Sequence, residues 1–472
     1  MTTRSIILIA SLFICTISNG QKIKSQVIFR MLQTANTLVD AQQLDAAEEF
    51  FKKGLSKAKA NQDYYCQAYA YQGLGNLYTK QDNTQKAVEN YQAAIRLYKA
   101  QRMNVMASVV QSLLKSVQGI GDMYAGIEIG AKGIKLSVIE VKLSKDRQYD
   151  YTLKADTSIN TDAASLSYQS EKETFDAVTI FWNMIKERYQ IASKRVFIVI
   201  SSGLKQELDK YNKAEYFATI IRPKGMDFSV KVNAITAIQE SELSMLGIVP
   251  QKDRYSTNQF DIGSGNTKGG YFDASRKFVP VTFPLGTKSF QRLVDARIQG
   301  SINDFAKTAD ILWKDSIAST IESELMNKPD FKSRDIMYLS GGIVWAIASC
   351  LHPAEINKNY MEISSNDISE FRQRLINNYD ELVHPAALKN ITNSEDAQAA
   401  SKNISRVIKT YDQRALLAGA TVLDELIKQI NTVNPNKKFI YPKYAYVGWI
   451  SGYIIKKASQ QYTGLVSQVA VR

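Results

Sequence analysis

Residues 258–272 read NQFDIGSGNTKGGYF. An apolar segment leads to Asp261, a turn of glycines and small polar residues follows, and the stretch ends in two aromatic residues. The same design of strand, glycine turn and strand occurs in MYAGIEIGAKGIKLSVIEVKL, which begins at Met123. A glycine pair follows a third buried strand in DIMYLSGGIVWAIASCL. Glycines let backbone N–H groups converge on an anion, and a helix N-terminus adds a favourable field. One such turn is usually only a hairpin, but three in order indicate a phosphate site.

Composition limits the fold and the chemistry. The chain has 472 residues, of which 45% are hydrophobic and 22% charged, so it can bury substantial cores and should form more than one domain. A formal net charge of +13 favours an anionic partner: polyphosphate, a nucleotide, nucleic acid or an anionic membrane. With three cysteines and two histidines, a zinc site would need carboxylate ligands.

The first 20 residues are predicted to be a signal peptide. They carry one arginine, an apolar run from Ile6 to Ile17, and small residues at Ser18 and Gly20. The run is short for a membrane span, which needs about 20 apolar residues. We therefore expect an exported protein, periplasmic or extracellular, with an uncleaved membrane anchor as the alternative.

Residues 21–120 are predicted to form helical repeats. Small and aromatic residues recur 40 positions apart in the pattern of a tetratricopeptide repeat, at Ala35, Ala47, Phe51 and Gly54 and then at Gly75, Ala87, Tyr91 and Ala94. An amphipathic segment at 103–118 would cap the stack. Two interpretations remain open, a groove that binds a protein partner and a structural support.

The order of the later segments resembles the exopolyphosphatase and guanosine pentaphosphate phosphohydrolase family. The segments are IEIGAKGIKL, AITAIQESELSMLGIV, FDIGSGNTKGGYF, FPLGT, YLSGGIVWAIA and RALLAGATVLDELI, and the resemblance covers roughly Tyr124 to Ile455. It implies an α/β fold of two duplicated actin-like ATPase lobes around a cleft, the first at 121–250 and the second at 251–456. Residues 457–472 are expected to be a polar C-terminal tail.

The resemblance implies two phosphate loops, with Mg²⁺ held by Glu128 and Asp261. Their residues are Glu128, Gly130, Ala131 and Lys132 in the first loop, and Asp261, Gly263, Ser264, Gly265, Asn266 and Thr267 in the second. The first loop departs from the family, because Ala131, Lys132 and Gly133 replace side chains that carry hydroxyl and amide groups. In the second, Lys268 replaces a glutamate that would help to hold the cation.

The same resemblance places a general base at Glu240, with Gln239 standing where the family has a second glutamate. A glutamate could orient and deprotonate a water for attack on a terminal phosphorus. Gly341 and Gly342 match a glycine pair that contacts nucleotide in relatives of this superfold.

Two functions are consistent with these residues. The first is an exopolyphosphatase-like hydrolase that removes terminal phosphate from polyphosphate or another phosphoanhydride. The second is a catalytically degenerate protein that binds phosphate or nucleotide and engages a protein partner through its helical repeats. No nucleic-acid partner is expected, because basic and aromatic residues do not cluster. A homodimer is left open.

Overall fold

The computed structural model describes residues 24–143 and 149–470, without the side chains of 462–470. These residues divide into two compact units. One contains 24–122, 141–143, 149–151 and 457–470, and the other contains 123–140 and 152–456. The predicted signal peptide lies outside the described residues. Among the helices that are described, none combines the length and apolar character that a membrane crossing requires.

The N-terminal region is all α-helical, as predicted. Its helices are α1 (Gln26–Asp40), α2 (Leu44–Ala60), α3 (Tyr64–Lys80), α4 (Thr84–Ala100) and α5 (Asn104–Val117). Each helix packs on the next, and α1 also contacts α3. The small residues of the repeat pattern are buried at these contacts: a Cβ on Gly75 would lie 2.5 Å from the Tyr91 ring, and one on Gly54 would lie 2.4 Å from the Leu32 side chain. The assignment of the region as tetratricopeptide repeats stays a prediction.

The first sheet has five strands in the order β3-β2-β1-β4-β5. They are β1 (Asp122–Gly130), β2 (Gly133–Leu143), β3 (Tyr149–Asn160), β4 (Val196–Ile200) and β5 (Val232–Ala234). β4 is parallel to both β1 and β5. The centre of β1 is buried on both faces, with Ile127 and Ile129 on one and Gly126 and Glu128 on the other, which is typical of a strand covered on both sides.

The second sheet repeats this order. It runs β10-β11-β9-β6-β7-β8, with β6 (Asn258–Ile262), β7 (Thr267–Phe272), β8 (Phe278–Phe283), β9 (Ile336–Gly341), β10 (Tyr360–Glu362) and β11 (Lys438–Pro442). Strands β6, β7 and β8 pair antiparallel, and β9 is parallel to β6 and β11. The strands β6, β7, β8, β9 and β11 therefore correspond to β1 through β5. The predicted duplication into two α/β lobes is confirmed.

Helices cover these sheets and position the cleft. They are α6 (Tyr168–Asn183), α7 (Ser202–Lys210), α8 (Ala214–Ile220), α9 (Ala237–Ile248), α10 (Thr287–Asp295), α11 (Ile302–Leu312), α12 (Ala318–Met326), α13 (Pro329–Ser333), α14 (Gly342–Leu351), α15 (Ser365–Asn377), α16 (Tyr379–Val383), α17 (Ser394–Thr410), α18 (Gln413–Asn431) and α19 (Gly448–Ala470). Residues 457–470 are not the expected tail. They continue α19, because no proline interrupts the chain from Gly448 onward.

Candidate anion-binding cleft

Glu240 is positioned by the first turn of α9. Thr236 caps this helix: its hydroxyl accepts the Gln239 N–H at 3.2 Å, and the Gln239 side chain accepts the Thr236 N–H at 2.9 Å. This reciprocal pair is a capping box, which fixes where the helix begins. Gln239 therefore has a structural role here, and Glu240 is held beside it in the first turn.

Both carboxylate oxygens of Glu240 are engaged. Oε2 accepts the Ser202 N–H at 2.9 Å, at the first residue of α7, and Oε1 lies 2.8 Å from Lys268 Nζ. Glu240 is only 4% exposed. Burial favours the neutral acid, but the Lys268 charge and the Ser202 hydrogen bonds outweigh it and lower the pKa of Glu240. The group is therefore an ionised, tightly held carboxylate.

Lys268 joins the predicted second phosphate loop to Glu240. It pairs with Asp261 across the β6–β7 hairpin, where its Nζ lies 3.5 Å from Asp261 Oδ2 and donates to Asn266 Oδ1 at 3.2 Å. Asp261 Oδ1 accepts the Ser340 hydroxyl at 2.7 Å. Burial would lower the pKa of Lys268, but Glu240 and Asp261 raise it above its ordinary value. Lys268 thus remains a buried ammonium between two carboxylates.

The first lobe carries the equivalent pair. Glu128 lies two residues before the end of β1, near the first turn, and Lys135 Nζ on β2 lies 3.5 Å from Glu128 Oε1. Burial raises the pKa of Glu128, with Lys135 opposing the rise, and Glu128 in turn raises the pKa of Lys135. Glu240 and Lys268 also act on Glu128, and Asp261 acts on Lys135. The two predicted loops therefore meet in one electrostatic cluster.

The second loop is held by the start of α10. The amide groups of Thr287 and Lys288 donate to Gly263 and Ser264 carbonyls at 2.9 and 2.8 Å. Within the part of the chain that the structure describes, the amide N–H groups of Ser264 and Gly265 donate no hydrogen bond. They are the backbone donors that an anion could use.

Other predicted residues of the two loops are placed differently. Thr267 is fully buried and, one residue from Lys268 on the same strand, faces the opposite side of the sheet. In the first loop the Ala131 carbonyl accepts the Ala164 N–H at 3.1 Å, and Lys132 Nζ lies 2.5 Å from Asp162 Oδ1. Lys132 is largely exposed, and its ammonium pairs with the carboxylate of Asp162 at the surface.

The glycine pair at the β9–α14 junction is packed against protein atoms. Gly341 has φ +102°, and a Cβ there would lie 2.1 Å from the Ile262 carbonyl oxygen. A Cβ on Gly342 would lie 1.8 Å from the Tyr411 hydroxyl. Burial raises the pKa of Tyr411, while a hydrogen bond to Ser264 and the Lys135 charge oppose the rise. Close packing thus explains both glycines, and their contact with a nucleotide stays a prediction.

The side chains of the cleft do not fit a divalent cation as they stand. Magnesium prefers near-octahedral oxygen ligands. Among the described residues, no group of three or more His, Cys, Asp or Glu side chains is arranged to hold a metal. The two predicted ligands, Glu128 and Asp261, each face a lysine ammonium at 3.5 Å instead.

The fold can be compared with known proteins. No family model and no curated protein matches the chain. Among solved structures, it is similar to the Aquifex aeolicus member of the Ppx/GppA family, at 14% identity and a TM-score of 0.50 over 72% of this chain and 98% of that one. The fold is that of the actin-like ATPases.

Two further structures are similar. The type II variant of the Aquifex aeolicus Ppx/GppA phosphatase has 12% identity and a TM-score of 0.49 over 71% of this chain and 99% of that one. An exopolyphosphatase from Cytophaga hutchinsonii has 13% identity and a TM-score of 0.48 over 73% of this chain and 98% of that one. At such identities only the fold carries over, and an activity has to come from the residues of the cleft.

Four residues of the cleft were not predicted from the sequence: Lys135, Ser202, Ser340 and Tyr411. A signal existed for two of them. Ser202 lies in the run of small polar residues that ends β4, and Lys135 follows Glu128 at the spacing by which Lys268 follows Asp261. Ser340 and Tyr411 enter the site only through tertiary packing.

Proposed function

We propose that the cleft binds a phosphoanhydride anion such as polyphosphate and hydrolyses it slowly or not at all. One observation carries this proposal: Glu240, at the position of the family's general base, is held by Lys268 at 2.8 Å and by the Ser202 amide at 2.9 Å. The helical repeats would provide the surface for a protein partner.

The contacts of Glu240 make it a weak base. A general base works best when its pKa lies near the working pH. Burial alone would move Glu240 in that direction, but Lys268 and Ser202 lower its pKa instead. To accept a proton from water, Glu240 would have to give up part of a buried ion pair, which is energetically unfavourable.

The same cleft keeps groups that suit an anion. The Ser264 and Gly265 amides are available for binding, and the Lys135 side chain is about half exposed (48%) beside the first loop. Backbone amides and ammonium groups are the usual donors to phosphate oxygens. These features support binding without requiring turnover.

Hydrolysis is the second candidate, and one observation favours it. Glu240 does lie beside the second phosphate loop, in contact with it through Lys268. If a bound phosphate drew the Lys268 ammonium away, Glu240 would be released to act on a water.

Phosphate release from polyphosphate distinguishes the two candidates. We expect the unaltered chain and the Glu240→Gln variant to release phosphate at the same background rate with Mg²⁺ present, while calorimetry detects polyphosphate binding to both. Glu242→Gln is a matched control, because Glu242 lies on the same helix but contacts Lys456 at 3.2 Å. Release that is lost only in Glu240→Gln would establish the hydrolase, and absence of polyphosphate binding would refute the binding function.

A further inference from the structure

Two lysines occupy equivalent places in the two lobes. Lys135 lies seven residues after Glu128, and Lys268 lies seven residues after Asp261. Each lysine stands on the second strand of a hairpin whose first strand carries the carboxylate, and the N–O distance is 3.5 Å in both lobes. The duplicated fold therefore places one ammonium against one carboxylate in each phosphate-loop hairpin.

The two pairs and Glu240 act as one set of charges. Lys268 contacts both Asp261 and Glu240, Lys135 contacts Glu128, and Glu240 accepts the Ser202 N–H of the first lobe. Glu128, Glu240 and Lys268 are each less than 9% exposed. Water screens buried charges poorly, so the charges of these three buried residues are weakly screened from one another. The two lysines together offset two of the three carboxylate charges, those of Glu128, Asp261 and Glu240.

Two ammonium groups carry the charge of one divalent cation. In this cleft that charge is already supplied by side chains of the chain. Lys268 contacts an oxygen of Glu240 at 2.8 Å and an oxygen of Asp261 at 3.5 Å. A divalent cation could enter only by displacing an ammonium, which would leave a buried positive charge without its partner.

We infer that Lys135 and Lys268 are the resident counterions of the cleft and that it binds its anion without a divalent cation. The anion-binding half of this inference rests on the proposed function. The half that concerns the lysines rests on the geometry of the two hairpins alone.

Binding of Mn²⁺, followed by electron paramagnetic resonance, tests the role of the lysines. Carboxylate count and site rigidity set the affinity of such sites, so we expect the Lys268→Met variant to bind Mn²⁺ at least about tenfold more tightly than the unaltered chain. A ligand that binds only the folded state raises the melting temperature. Mn²⁺ should therefore raise the melting temperature of Lys268→Met and leave that of the unaltered chain unchanged.

A control variant tests whether the effect on Mn²⁺ binding depends on where the lysine charge is removed. Lys438→Met removes a lysine from an exposed pair with Glu362 at 3.7 Å and should leave Mn²⁺ binding as weak as in the unaltered chain. Equal Mn²⁺ affinity in the unaltered chain and in Lys268→Met would overturn the assignment of Lys268.

A second measurement needs no variant. We expect tripolyphosphate to bind the full chain at least as tightly in EDTA as in excess Mg²⁺, and loss of more than about tenfold in affinity on metal removal would overturn metal-free binding. A chain that binds tripolyphosphate under neither condition would refute the proposed function, whereas the Mn²⁺ titration would still decide the role of the lysines.

Discussion

The Lys268 ammonium lies 2.8 Å from Glu240 and 3.5 Å from Asp261, and its side chain is only 9% exposed. A buried ion pair of this kind adds little net stability, because removing both charges from water offsets their attraction. Loss of one partner is different. It leaves the other charge buried without compensation.

Lys268→Met should therefore destabilise the folded chain. We expect the free energy of unfolding at neutral pH to fall by about 3–5 kcal/mol, the range for breaking a buried pair from one side. Urea denaturation measures the change. The double variant Lys268→Met with Glu240→Gln should recover part of the loss, because it removes both charges of the closer pair and leaves only Asp261 without its lysine. A double variant no more stable than the single one would contradict the pairing.

The coupling between Glu240 and Lys268 should depend on pH. The folded-state pKa of Glu240 is lowered, so its stabilising contribution is fully present above the unfolded pKa and is lost as the pH falls through the folded value. We expect the coupling energy from a double-mutant cycle of Glu240→Gln and Lys268→Met to shrink between neutral pH and acid. Urea denaturation at several pH values measures it, and a coupling that does not change with pH would exclude an ion pair.

Only some residues of the site could be predicted from the sequence. It selected Asp261, Glu240 and Lys268, and the structure brings these three together. The ion pair itself could not be foreseen, because Glu240 and Lys268 lie on different elements and nothing local fixes the distance between them. The role of Ser202 depends on its backbone N–H, which every residue except proline possesses, so its residue type gives no signal.

At the level of elements, α9 depends on a close crossing with α19. A Cβ on Gly247 would lie 1.9 Å from the Gly448 carbonyl oxygen, and a Cβ on Gly452 would lie 1.9 Å from the Leu243 carbonyl oxygen. The neighbours are backbone atoms, which cannot turn aside as a side chain can. The position of Glu240 therefore depends on glycines that lie outside the cleft.

Gly452→Ala should separate these helices. Overpacking typically costs about 1–3 kcal/mol, and we expect a loss of that size in the free energy of unfolding, measured in urea. Polyphosphate binding should weaken as well, because Glu240 on α9 holds the Lys268 ammonium beside the second loop.

Gly203→Ala provides the control for Gly452→Ala. Gly203 lies in α7 and has no neighbouring atom within 4 Å of the place that a Cβ would occupy, so the substitution should be neutral or should stabilise the helix by about 0.5–1 kcal/mol. A Gly452→Ala protein as stable as the unaltered chain would show that the crossing can relax.

Helices and hairpins were more predictable from the sequence than the tertiary contacts between them. The hairpins at Gly130 and Gly263 and the repeat helices follow from periodicity and turn residues, which are local signals. The C-terminal segment was misassigned, because its polar composition hides a helix that continues from Gly448. The strand order of the two sheets was not predicted, since no local signal fixes which strands pair.

At the scale of the whole molecule, the chain carries a formal net charge of +13, while the cleft balances most of its own charge. The two contributions act on different steps of binding. Long-range charge guides an anion toward the protein and affects the association rate, whereas contacts within the site affect the dissociation rate.

Binding of tripolyphosphate should accordingly depend on salt through its association rate. The screening length falls from about 30 Å at 0.01 M to about 10 Å at 0.1 M ionic strength, so the steering effect of distant lysines should decline over this range. We expect stopped-flow measurements to show a steep fall in the association rate constant and little change in the dissociation rate constant.

Substitution of the buried Lys268 should instead change the dissociation rate and leave the association rate nearly unaltered. Lys268→Met removes one charge of a large excess, so the salt dependence of association should stay nearly that of the unaltered chain, while dissociation becomes faster because a charge in the site has been lost. A dissociation rate that is insensitive to this substitution would mean that the anion binds elsewhere on the basic surface. The comparison of both rates therefore places the ligand in the cleft or outside it.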